Sequence, residues 1–158
     1  MPDDTTRTEV QDAIIASWRL VDEQQGRGQE QLFTQDATYT TAGRSFIGRA
    51  EIAAGLAARV ASGTRTSRHV LSNVTFDELG PERARLHYLV TLYAGDGEPP
   101  LPMTRQPIAV GDIHDVMVRD QERWLIEQRR FTAVFLDAGA GSPFLNGNDA
   151  SDGTREAA

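Results

Sequence analysis

Cysteine is absent from the 158 residues. That excludes disulfide staples and thiolate metal sites, fits a reducing compartment, and makes the cytoplasm the expected location. Long apolar runs are also missing: none approaches the roughly 20 residues that a membrane-spanning helix needs. The opening residues, MPDDTTRTEV, hold no basic region followed by an apolar stretch, so no secretory leader is expected. Positive charge is in deficit, with 16 Lys and Arg against 23 Asp and Glu and a net charge of −7. A phosphate backbone or an anionic bilayer is bound through a basic face, so neither nucleic acid nor membrane is an expected partner. No Gly-x-Ser-x-Gly nucleophile motif occurs, and DAGAGSPF lacks the lysine and following helix of a phosphate loop.

What remains is ordinary globular material, 39% hydrophobic and 25% charged, long enough for one domain with a core and too short for two. We place that domain at residues 1–145 and expect the Gly-, Ser-, Asn- and Asp-rich stretch 146–158 to be a disordered tail. A first helix is predicted from about Thr5 or Thr6, where threonine can cap and Glu9 can close a capping box. Its apolar positions are Val10, Ala13, Ile14, Trp18 and Val21. Gly26 and Gly28 end it, and a short second helix is predicted over GQEQLFTQD. A strand, ATYTTAG, precedes a third helix, GRAEIAAGLAARVASG, closed by Gly63. The period then changes to two. SRHVLSNVTFDEL, RARLHYLVTLYAG, IAVGDIHDVMVRD and RWLIEQRRFTAVFL read as four long strands. Three N-terminal helices and a run of antiparallel strands define an α+β class, with the helices on one face of a curved sheet that can enclose a pocket. The alternative is a flat sheet filled by side chains.

Three ionisable residues stand where these patterns call for apolar ones. Asp115 lies between Ile113 and Met117 on one strand face, Asp22 follows Trp18 by four on the first helix, and His69 shares its strand face with Leu71 and Asn73. A carboxylate taken out of water costs several kcal/mol, roughly, unless it is hydrogen-bonded or neutralised. A histidine is a natural partner, and an Asp–His pair suits proton transfer because the carboxylate fixes the imidazole's tautomer. Each residue also has a purely structural reading; Asp115 in particular can accept a bond from Arg129 or Arg130 on the neighbouring strand. His69, His87 and His114 are scattered without metal-ligand spacing, so no metal site is expected.

The segments AIIASWRLVDEQQGRGQEQLFTQDATY, GRSFIGRAEIAAGLAAR, SRHVLSNVTF and VGDIHDVMVRDQERWLIEQRRF, in this order, resemble the SnoaL-like branch of the NTF2-like superfamily over about residues 8–135. The resemblance implies a cone-shaped α+β fold, a bent mixed sheet wrapped by helices around a deep apolar pocket, and a homodimer or homotrimer. Within it, the chain is similar to the scytalone dehydratase type, in which an aspartate at the end of the first helix and a histidine at the start of a sheet strand move protons during water elimination. Asp22 and His69 match those positions, and Asp115 matches a strand position that turns polar groups into the pocket. The departures are Val21 in place of a tyrosine, no tyrosine at Thr41 although Tyr39 is near, and Ala94, beside Tyr93, in place of a second histidine. Related folds also host steroid isomerases, polyketide cyclases, epoxide hydrolases and members without catalysis.

The function expected is a cofactor-independent acid–base enzyme of dehydratase, isomerase or cyclase type, acting on a small, largely apolar carbonyl or hydroxy compound. Asp22, His69 and Asp115 are the catalytic candidates. Trp18, Tyr39, Tyr93, Met103, Ile113, Met117 and Phe131 are the expected substrate-binding wall. Two alternatives stay open, a non-catalytic module for hydrophobic ligands and an assembly subunit that uses the outer sheet face. The loop DGEPPLPMTRQP reads either as a lid tipped by Arg105 or as an ordinary solvated loop.

Overall fold

The computed structural model describes residues 4–41, 44–103, 106–137 and 139. The expected disordered tail and the proposed lid tip, Arg105, lie outside the described residues. The first helix, α1, runs Asp4–Gln24 and buries Val10, Ile14, Trp18 and Val21, the apolar stripe legible in its spacing. It begins at Asp4, slightly ahead of the threonine cap anticipated. The strands are β1 (Phe33–Thr41), β2 (Arg44–Ile47), β3 (Arg65–Leu79), β4 (Arg83–Asp96), β5 (Ala109–Asp120) and β6 (Arg123–Leu136), with a second helix, α2 (Gly48–Ala61), after β2. They form one sheet in the order β2-β1-β6-β5-β4-β3. Every neighbouring pair is antiparallel except β1 with β6, which is parallel.

Two helices stand where three were expected. The segment predicted as a second helix is a single 3-10 turn, Gln29–Leu32, running straight into β1 at Phe33. Gly28, in a left-handed conformation with φ +83°, supplies no side-chain cap to that turn, and so short a helix has little to hold it together in water. Phe33 instead pairs with Ile126 of β6 and is fully buried. β2 was not anticipated at all. Its four residues fold back on β1 before α2 starts. The Ile47 amide, at the N-cap of α2, donates to Glu51 Oε2 at 2.7 Å, a carboxylate placed favourably in the first turn.

Bulges decide which side chains face inward. On β3 the pairing skips between Ser72 and Thr75, where Asn73 has φ 55°. The expected same-face neighbour of His69 is therefore displaced: Asn73 is exposed, while Val74 and Phe76 pack against the core. On β6 the register jumps from Gln128 opposite Val116 to Ile126 opposite Met117, so Glu127 is an extra residue. With Glu127 taken up in the bulge, Ile126 and Arg129 both face inward and Arg130 is exposed.

Candidate active site

The end of α1 is fastened to the start of β3 by one side chain. Gln25 donates from Nε2 to the Arg65 carbonyl at 2.7 Å and accepts from the Arg65 amide at 3.3 Å. This holds Asp22, one turn earlier, against β3. Asp22 Oδ1 accepts from Ser67 Oγ at 2.8 Å and meets His69 Nδ1 at 2.7 Å; Oδ2 accepts from the His69 backbone amide at 2.8 Å. Both side chains are more than nine-tenths buried.

Burial pushes the Asp22 carboxyl pKa up, but the His69 ring, the His69 amide and Ser67 together hold it below the ordinary carboxylate range. Asp22 is thus an anion at neutral pH and can only accept. The neutral imidazole must carry its proton on Nδ1, which leaves the Nε2 lone pair as the free basic position. His69 lines a cavity with an open mouth, together with Trp18, Tyr39, Val90, Leu92 and Phe131. The imidazole stacks on Trp18, with centroids 4.5 Å apart and the planes inclined by 28°. Burial pushes the Tyr39 phenol up to about 12, so Tyr39 presents a neutral hydroxyl.

Asp115 is brought near this pair but not into the cavity wall. It sits directly opposite Arg129 in the β5–β6 register, and the two form a fully buried bidentate pair, Nε to Oδ1 at 2.9 Å and Nη2 to Oδ2 at 2.7 Å. Tyr88 Oη donates to Asp115 Oδ2 at 2.9 Å and accepts from Trp18 Nε1 at 2.8 Å and from Arg129 Nη2 at 3.2 Å. Arg129 also donates to Ser17 Oγ at 3.0 Å and lies 4.5 Å from the Trp18 ring centroid. The Asp115 charge holds the Arg129 pKa above its ordinary value despite burial, and burial raises that of the Tyr88 phenol. Asp115 therefore reaches His69 indirectly, through Tyr88 and Arg129, both of which meet the Trp18 indole. Its place in an apolar row is accounted for by Arg129, the structural alternative raised above.

Four expected wall residues lie elsewhere. Tyr93 is 44% exposed, because the β4 alternation turns Leu92 and Ala94 inward instead, and Met103, in the loop after β4, is 99% exposed. Ile113 and Met117 do face inward, yet they are core residues at 0% exposure and do not reach the cavity. Conversely, Arg59, Ser67 and Gln29 line it and were not anticipated. Arg59 had a legible signal: with Ile52 and Leu56 it completes the buried stripe of α2, a charge on an apolar face like Asp22 on α1. Among the described residues, no group of three or more His, Asp or Glu side chains is placed to hold a metal ion, and no helix is long and apolar enough to cross a membrane.

A bent mixed sheet with two helices is a fold of the cystatin-like, NTF2-like kind. Residues 4–130 match the SnoaL-like domain, and the chain belongs to that family. Among solved structures it is similar to a candidate scytalone dehydratase of Novosphingobium aromaticivorans, with 16% identity, TM-score 0.72, and 90% of this chain and 94% of that one covered. ActVI-ORFA of Streptomyces coelicolor superposes with 18% identity and TM-score 0.68 over 81% and 97%. An NTF2-like protein with a cystatin-like fold, also from N. aromaticivorans, does so with 18% identity and TM-score 0.67 over 86% and 84%. No curated protein matches the chain.

Proposed function

We propose that this protein is an acid–base catalyst of lyase or isomerase type, acting on a small, largely apolar carbonyl or hydroxy compound. The observation that carries the reading is the Asp22–His69 pair, at 2.7 Å, with the imidazole on the wall of the cavity. Similarity to a candidate scytalone dehydratase supports a proton-transfer role for such a pair. All 16 basic residues are arginine and cysteine is absent, so the chain offers neither a primary amine side chain nor a thiol for covalent catalysis.

In this mechanism Nε2 of His69 removes a proton from carbon next to a carbonyl, and the C–H electron pair moves into an enolate. Asp22 stabilises the imidazolium that forms. The imidazolium returns its proton either to a departing hydroxyl, which leaves as water, or to another carbon, which completes an isomerisation. Trp18 and Phe131 hold the apolar body of the substrate. Asp115 acts at a distance, by fixing Tyr88 and Arg129 and through them the indole against which His69 rests.

The test is solvent exchange. A panel of cyclic ketones, β-hydroxy ketones and keto acids is incubated with protein in D2O, and deuterium at the α-carbon is read by NMR. Exchange above buffer is expected for at least one compound, with His69→Ala reduced to background and Asp22→Asn slowed by roughly 10²-fold or more. Compounds that bind yet never exchange would refute the proposal in favour of a binding module.

A further inference from the structure

The cavity wall carries a cation that the proton-transfer scheme does not use. Arg59 is 7% exposed and lines the same space as His69. Its guanidinium contacts only neutral oxygens, all at long range: the Gln25 carbonyl and Gln25 Oε1 at 3.3 Å and Ser67 Oγ at 3.4 Å. Among the described residues it forms no ion pair within 4 Å, unlike the other buried arginine, Arg129, with its bidentate carboxylate. The nearest acid along its contacts, Asp22, is already engaged by Ser67 and by both nitrogen donors of His69.

A guanidinium has five donors in a planar fork suited to a carboxylate. Held in a low-dielectric wall on long bonds to neutral acceptors, it gains most from a ligand that brings its own negative charge. Arg65 lines the cavity as well and adds a second positive charge; the carboxylate facing it, Asp96, is 91% exposed and 3.8 Å away. Ser67 Oγ links Arg59 to the catalytic pair, since it also donates to the Asp22 oxygen that meets the imidazole.

We propose that the ligand of this cavity is a compact organic acid, with its carboxylate on Arg59 and its apolar body against Trp18, Val90 and Phe131. The proposal rests on reading this cavity as the substrate site, and it makes the substrate a keto or hydroxy carboxylic acid instead of a neutral ketone. Bidentate binding at Arg59 would fix one end of such a molecule and leave the carbons beyond it beside His69. The protein's net charge of −7 does not oppose this, since charges farther than about a Debye length are screened at physiological salt.

The test compares benzoate with its neutral counterpart benzamide, titrated into the intact chain and followed by ¹H–¹⁵N NMR. Benzoate is expected to bind wild type at least about tenfold more tightly than benzamide, with the preference weakening as salt rises. Arg59→Gln should abolish the preference while leaving benzamide affinity within about twofold, and Arg59→Lys should keep part of it. Equal binding of the two compounds to wild type, binding of neither, or a preference that survives Arg59→Gln would overturn the proposal. The wild-type comparison decides even if the Gln variant does not fold. His69→Ala separates the two readings, because it removes exchange chemistry and should leave the benzoate preference intact.

Discussion

Asp22 accepts three hydrogen bonds in a space that excludes most water, and its behaviour with pH follows from that. Its folded pKa lies below the ordinary carboxylate value, so the pair contributes stability that is fully present above the unfolded value near 3.9 and is lost as pH falls through the lower folded value. Denaturant unfolding from pH 6 to pH 3 should show wild type losing its margin over Asp22→Asn across that acid range. A margin unchanged by acid would contradict the network described. Asp115 and Arg129 present a different residue-scale problem, because both charges are wholly buried. Removing one partner strands the other, so Arg129→Met is expected to cost about 3–5 kcal/mol. The double variant Asp115→Leu/Arg129→Met should recover a good part of that loss in urea unfolding. Additive losses would mean that the two side chains do not depend on each other.

At the scale of elements, the site is made by breaks in regular structure. On β6 the bulge at Glu127 lets Ile126 and Arg129, three residues apart, both face inward. Deleting Glu127 removes the bulge yet keeps Gln128 opposite Val116 and Ile126 opposite Met117, so Arg129 should stay inward and cooperative unfolding seen by near-UV circular dichroism should survive. Inserting one residue between Gln128 and Arg129 instead shifts the parity and should abolish it. Gly111 marks another close approach. A Cβ there would stand 2.4 Å from Phe131 Cε2 and 2.5 Å from the Thr132 carbonyl oxygen. Gly111→Ala should therefore destabilise by about 1–3 kcal/mol and, since Phe131 lines the cavity, weaken ligand binding in the same NMR titration. Such breaks are hard to read in advance. The four long strands and both helices follow from periodicities of two and 3.6, because each buries a single face. Nothing in the local composition separates Arg129 from Arg130, or Asn73 from Val74; a one-residue insertion in the partner pairing does. The supposed helix over GQEQLFTQD fails for a related reason, since a tertiary partner, β6, claims Phe33.

For the whole molecule, the cavity exists because elements distant in sequence are tied at a few points: α1 to β3 through Gln25 and Asp22, and α1 to β4 and β6 through Trp18 and Ser17. The Asp22–His69 pair was visible in the sequence as misplaced charge together with the family resemblance. Arg59 carried the same kind of signal on α2, but its relation to His69 depends on how α2 closes over the sheet. Tyr93 and Met103 illustrate the reverse case, apolar residues whose strand parity or loop position sends them to solvent. The central claim is that this closure leaves a basic nitrogen facing the cavity. The ¹⁵N shifts of the His69 ring, recorded in the intact protein at a pH where the ring is neutral, test it most directly. The account predicts a proton on Nδ1 and a bare Nε2, with that preference lost in Asp22→Asn. A proton on Nε2, or a ring indifferent to Asp22→Asn, would contradict it.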